Sequence, residues 1–208
     1  MIEIGIIDIG SGNIFNLIKS LKIFDVNVNI IEDIKGLKKS DALIIPGVGS
    51  FKSGVDTMKK SKIFNELQSI THRNKPILGI CLGMQLLLTK SYEFGTHEGL
   101  NLIPGIVKPI EKQKGWPVPN IGWCEVKTKM NSDTLVNNTQ SDKNFYFIHS
   151  YYCDIENKDN IIGTINYGDI EIPAIIKEKN IFGCQFHPEL SDNSGIQILS
   201  NFVDFIKN

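Results

Sequence analysis

The chain has 208 residues, with 22 Lys+Arg against 23 Asp+Glu and a formal net charge of -1. That balance gives no electrostatic grounds for a nucleic-acid or anionic-membrane partner. A composition of 41% hydrophobic and 22% charged residues excludes a disordered chain and suits one domain with a sizeable core, spanning 1-208.

Ile2–Asp8 reads as a buried strand and lacks the basic start of a signal peptide. Gly10-Ser11-Gly12-Asn13 is a turn, and Ile14, Phe15, Leu17, Ile18 and Leu21 recur at helical spacing. Val26–Ile31 and Ala42–Pro46 are further strands, the second followed by a glycine-rich turn. A charged amphipathic stretch around Ile63–Ile70 supplies a helix, Pro76–Ile80 a fourth strand, and Leu82–Leu88 opens another helix. Strand, turn and helix in repetition imply a parallel sheet covered on both faces.

The second half changes character. Short strand-like runs follow one another at Ile121–Lys127, Phe145–His149, Ile161–Asn166, Ile170–Ile176 and Ile181–Cys184. They suggest antiparallel additions to an α/β core. The stretch Lys129–Lys143 reads as loosely ordered, and Gly195–Ile206 carries a helical apolar face. No apolar run reaches the roughly 18 residues of a spanning helix. The four cysteines, Cys81, Cys124, Cys153 and Cys184, form no C-x-x-C pair, so a reduced cytoplasmic setting without disulfides or metal is expected.

Gly79-Ile80-Cys81-Leu82-Gly83 lies between a strand and a helix. Burial is the ordinary explanation for a lone cysteine in an apolar run. Two small residues flanking it reverse that weighting, because they permit the sharp turn that lifts a nucleophile out of a sheet to a helix N-terminus. A thiol nucleophile needs a base, and the base an orienting group. His72 and His97 read as surface residues, and His149 sits in a strand. His187 follows a strand in Gln185-Phe186-His187-Pro188-Glu189. Two-residue spacing in extended chain puts His187 and Glu189 on one side. Glu189 then orients and His187 shuttles the proton.

Pro46-Gly47-Val48-Gly49-Ser50-Phe51 can turn backbone N–H groups toward an oxyanion, with the N–H of Leu82 as second donor. No dinucleotide or phosphate-loop motif survives inspection, since Phe15 stands where the first turn would need its third glycine. No cofactor is expected.

Together these pieces resemble the class I, triad-type glutamine amidotransferases. The elbow G-I-C-L-G with Met84-Gln85 and the late His-Pro-Glu carry the likeness. It implies a flavodoxin-like, mostly parallel sheet flanked by helices, with glutamine bound at the strand C-termini. Within that family the chain looks most like the glutaminase subunits of imidazole glycerol phosphate synthase, on I-D-I-G-S-G-N-I-F-N, P-G-V-G-S-F, Pro119-x-x-Gly122-Trp123 and Y-F-I-H-S-Y.

The resemblance implies catalysis by Cys81, His187 and Glu189 and an oxyanion site at Gly49 and Leu82. It puts Gln85 and Glu93 on the glutamine head with Ser150 and Tyr151 nearby, and Asn13, Trp123 and Tyr146 facing a partner. It implies no metal. The partner would be a (β/α)8-barrel cyclase in a heterodimer, supplied with ammonia for histidine biosynthesis. The free subunit would be nearly idle, one oxyanion donor turning inward only on docking.

Two positions depart from the family pattern. Leu190 replaces a usual lysine and Cys124 a usual asparagine, both expected on the partner-facing rim. Two alternatives stay open: a paralogue feeding a sugar-amidating synthase of surface polysaccharide pathways, and an inactive partner-binding scaffold.

Overall fold

The computed structural model describes residues 1–10, 12–69, 75–129, 134–137 and 143–207. The expected strands form as β1 (Ile2–Ile7), β2 (Val26–Ile31), β3 (Ala42–Ile45) and β4 (Ile77–Ile80). Between them run α1 (Ile14–Leu21), α2 (Ile34–Lys39), α3 (Phe51–Lys60) and α4 (Ile63–Ser69). Helices α2 and α3 are additions to the sequence reading. Both carry an interior glycine, Gly36 and Gly54, which depresses helix propensity. Their start signals are nevertheless present, since Asp33 accepts from the Gly36 N–H and Ser50 from the Ser53 N–H. At Gly54 a side chain would crowd Leu86, 3.1 Å away.

The helix expected over Leu82–Leu88 is shorter. Helix α5 spans Leu82–Leu86, and Leu88–Ser91 is strand β5. Leu86, Leu87 and Leu88 are all fully buried, and a continuous apolar run has no period to separate helix from strand. Strands β6 (His97–Glu98) and β7 (Ile103–Pro109) join β5. His97 is therefore half-buried in a strand rather than on a surface loop. There follow β8 (Asn120–Thr128), β9 (Lys143–His149), β10 (Tyr151–Ile155), β11 (Ile161–Tyr167), β12 (Ile170–Glu178), β13 (Ile181–Cys184) and α6 (Asp192–Lys207). Of the stretch read as loosely ordered, Thr134–Val136 form a 3-10 turn, and 130–133 and 138–142 lie outside the described residues. So does His72.

The main sheet has nine strands in the order β2-β1-β3-β4-β13-β12-β11-β8-β9. The first five are mutually parallel and the remaining pairs antiparallel. Strand β13, read from sequence as an antiparallel addition, is instead the pivot: parallel to β4 on one side and antiparallel to β12 on the other. One face buries Leu17 and Leu21 of α1 with Ile198, Leu199, Phe202 and Val203 of α6. The other buries α2, α3 and α4 with the small β10-β7-β5-β6 sheet. Helices cover the sheet on both faces, as α/β layering requires.

The pivot brings distant residues together. Ile80 pairs with Cys184 at the C-terminal ends of β4 and β13. The next residues of each strand, Cys81 and Gln185, emerge side by side where open α/β sheets hold ligands.

Candidate active site

Cys81 occupies the elbow between β4 and α5 with φ 52° and ψ -107°. Such a backbone costs on the order of 1–3 kcal/mol for a residue with a Cβ, and persists only where its surroundings dictate it. The flanking glycines show how they do so. A Cβ on Gly83 would lie 1.7 Å from the Ile45 carbonyl oxygen, and one on Gly79 2.6 Å from that of Gly83. Only bare backbone lets α5 start this close to β3. The Cys81 N–H donates to the Cys184 carbonyl at 2.8 Å, which continues the β4–β13 ladder by one rung.

His187 is held from three sides. The ring of Phe186 stacks on Phe145 at 4.0 Å and meets Phe147 edge-on. The His187 N–H donates to the Tyr146 carbonyl at 2.9 Å. The Ser191 hydroxyl donates to the His187 carbonyl at 2.6 Å and accepts from the Tyr146 N–H at 2.9 Å. The His-Pro-Glu segment thus covers the free edge of β9, the last strand of the sheet.

The His187 Nδ1 lies 2.8 Å from Glu189 Oε1, with both side chains 3% exposed. A carboxylate accepts, so Nδ1 carries the proton and Nε2 is left for chemistry. Nε2 has no hydrogen-bond partner, yet the Cys81 sulfur is near enough to act on its charge. Burial pulls the imidazole pKa down, but Cys81 and Glu189 more than offset it and raise it to about 10.

A cavity of about 440 Å³ opens in front of Cys81. Gly49 and Leu82 border it, as do Gln85, Glu93, Ser150 and Tyr151. Gly49 has φ +99°, open to glycine at little cost. The Leu82 N–H donates to the Gly47 carbonyl at 3.3 Å and so is already engaged. Glu93 Oε2 accepts the N–H of Phe51, the first residue of α3, which ties the cavity wall to the Gly47–Gly49 segment. The Gln85 amide nitrogen donates to the Tyr151 carbonyl at 3.1 Å and to Gln185 Oε1 at 3.2 Å, and Gln185 Nε2 lies 3.6 Å from the Cys81 sulfur.

The sequence reading missed Gln185, which is fully buried between nucleophile and Gln85. Its position two residues before His187 at the end of β13 was the available signal. It also missed His149 and Phe94 in the cavity wall.

Of the residues expected to face a partner, Trp123 is 51% exposed and packs edge-on against Tyr146 at 5.9 Å. Ile121 and Ile148 pair across β8 and β9 on the same outer face and are also exposed. Asn13 caps α1 by accepting the Asn16 N–H at 3.3 Å. Cys124 is a correction. Strand alternation turns its side chain away from Trp123 toward the core, where it packs against the main apolar cluster rather than on the rim.

Among the described residues no cluster of three or more His, Cys, Asp or Glu could hold a metal ion, and no helix is long and apolar enough to cross a membrane.

The profile of the family described as glutamine amidotransferase class-I matches residues 5–205. The chain is 42% identical to "Imidazole glycerol phosphate synthase subunit HisH" of Caldanaerobacter subterraneus subsp. tengcongensis, over 98% of each chain. It is 37% identical to the protein of that name from Prochlorococcus marinus, over 100% of this chain and 96% of the relative. A Bacillus cytotoxicus protein with the same name is 40% identical over 98% and 95%. Two solved structures share the fold at low identity. "Crystal structure of glutamine amidotransferase" has TM-score 0.76, 15% identity and 99% coverage of both chains. "Structure of PurLQS from Thermotoga maritima" has TM-score 0.77, 16% identity and 99% coverage of both.

Proposed function

The chain belongs to the class-I glutamine amidotransferases, and from that premise we propose that it is the glutaminase subunit of imidazole glycerol phosphate synthase. It hydrolyses glutamine and passes the ammonia to a cyclase subunit, a (β/α)8 barrel, in a cytoplasmic heterodimer for histidine biosynthesis. The whole chain acts as one amidotransferase domain. The observation that carries this reading is one cavity bordered at once by Cys81, Gln85, Glu93, Ser150 and Tyr151, with His187, paired to Glu189, near enough to the thiol for Cys81 to raise its pKa. Relatives named for that subunit, matched over nearly their full length, support the choice of partner.

Glutamine binds with its amino and carboxylate groups against Gln85 and Glu93, beside Ser150 and Tyr151. The Cys81 sulfur attacks the side-chain carboxamide while His187 holds the proton on Nε2. His187 then gives that proton to the departing ammonia, and a thioester remains. Water, deprotonated by His187, releases glutamate and restores the thiol. Glu189 keeps a proton on Nδ1 throughout, so that Nε2 is the atom that gains and loses the other.

The oxyanion that forms in each attack needs N–H donors from Leu82 and the Gly49 segment. Each donor is worth on the order of 3–4 kcal/mol of barrier. The Leu82 N–H is engaged by Gly47, so this segment has to shift before that donor is free. Docking of the cyclase supplies the shift, and the free subunit is slow.

The test is glutamate release by the chain with and without its cyclase partner. Expected is slow turnover alone, rising by roughly 10²-fold or more in the complex, the worth of one oxyanion donor. Equal rates in the two states would overturn the gating, and no glutamate in either would overturn the function.

A further inference from the structure

The proposed mechanism leaves one buried titratable side chain in the cavity wall without work. His149 ends β9, is 5% exposed, and borders the cavity beside Ser150 and Tyr151. Its two ring nitrogens both have partners. Nδ1 lies 2.8 Å from the Tyr151 carbonyl oxygen and Nε2 lies 3.1 Å from the Asn120 side-chain nitrogen.

Those contacts settle the tautomer. A carbonyl oxygen can only accept, so the proton sits on Nδ1. The Nε2 lone pair must then accept, which fixes the Asn120 amide with its NH2 toward the ring. The Asn120 oxygen is left facing Cys124, whose thiol donates to it at 3.7 Å. Burial holds the imidazole near pKa 4, the Tyr151 carbonyl raising it somewhat and His187 lowering it further. The ring is therefore uncharged across the neutral range and is not a second base.

The Tyr151 carbonyl accepts from His149 and from Gln85, which uses both of its lone pairs. Gln85 in turn spends its amide hydrogens on that carbonyl and on Gln185. What Gln85 can offer the cavity is therefore its carbonyl oxygen, an acceptor for an N–H of the substrate. We propose that His149 is a positioning residue of the glutaminase site: as the Nδ1–H tautomer between Asn120 and Tyr151, it fixes the carbonyl that decides which end of Gln85 meets glutamine. This inference rests on the proposed function. Without the His149 donor the Tyr151 carbonyl is free to turn, and the Gln85 amide loses the anchor that keeps its oxygen toward the substrate.

Two measurements test it. The first is long-range 1H–15N correlation on the free chain, which reads the His149 tautomer directly. The Nδ1–H form is expected, and an Nε2–H form overturns the inference whether or not the chain is a glutaminase. The second is glutamine kinetics in the assembled complex with the cyclase. His149→Phe keeps a ring of similar bulk and removes both polar contacts. It is expected to raise KM for glutamine on the order of tenfold, with kcat within about threefold. His149→Asn restores a donor near the Nδ1 position and is expected to recover most of that loss, which repacking alone would not do. An unchanged KM in His149→Phe, or no recovery in His149→Asn, overturns it. A wild-type complex that releases no glutamate counts against the proposed function and leaves the tautomer result to decide this inference. Should His149→Phe fail to fold, the tautomer and His149→Asn carry the decision.

Discussion

At the residue scale the site depends on how firmly His187 is aimed. Ser191 is the small residue that does most of this, since its single hydroxyl joins the His187 carbonyl to the Tyr146 N–H. Replacing it, Ser191→Ala, orphans the Tyr146 N–H and leaves the His187 carbonyl with only the Leu190 N–H at 3.0 Å, and is expected to cost about 1–3 kcal/mol of stability. It should also lower kcat on the order of tenfold with little change in KM, as read by urea unfolding and steady-state assays. The charge on His187 has its own signature. Its pKa is raised in the folded chain, from 6.5 to about 10. The folded chain therefore keeps a proton that the unfolded chain releases above pH 6.5. That contribution to stability is whole below about pH 6.5 and is lost as pH rises toward 10, with a slope of at most about 1.4 kcal/mol per pH unit. The urea midpoint of wild type minus that of His187→Gln should shrink between pH 6.5 and 10. A difference that grows with pH would contradict this.

At the element scale the elbow is the feature most sensitive to one added atom. In Gly83→Ala the new methyl would meet the Ile45 carbonyl at 1.7 Å, and backbone on both sides leaves no side chain to yield. The expected loss is about 2–4 kcal/mol, with slower alkylation of Cys81 because the nucleophile shifts. Thermal unfolding and iodoacetamide labelling read the two effects. This tight packing is also why the elbow was legible from sequence: a strand, two small residues and a helix leave a local pattern. The His187–Glu189 pair was legible for the same reason, being set by two-residue spacing and held at 2.8 Å. Helices α2 and α3 were not, because interior glycines masked caps that were present at Asp33 and Ser50. Strand β5 was hidden in an apolar run without period. The central place of β13 could not be read from Ile181–Cys184 alone, since pairing partners β4 and β12 are properties of the fold. Gln185 and His149 were missed because their roles arise from contacts across the sheet, each to residues far away in sequence.

At the scale of the whole molecule, β8 and β9 close the sheet with an outer face of exposed Ile121, Trp123 and Ile148 and half-buried Tyr146. Aromatic and aliphatic side chains paired across strands in this way suit the centre of a protein interface. Trp123→Glu would place a charge there, and is expected to weaken cyclase binding by tenfold or more while leaving the thermal midpoint of the free chain nearly unchanged. Isothermal titration and a melting curve check the two halves. The same face lies beside the cavity, because Ile148 belongs to both. Docking on it can therefore reach the Gly47–Gly49 segment opposite, where the Leu82 donor is held. All of this depends on Cys81 being the atom that attacks glutamine. The direct measurement is to treat the complex with an electrophilic glutamine analogue and locate the adduct by peptide mass spectrometry, alongside glutaminase assays of Cys81→Ala. One adduct on Cys81, blocked by excess glutamine, and no turnover in Cys81→Ala are expected; an adduct on another residue, or glutamine hydrolysis that continues in Cys81→Ala, would contradict the account.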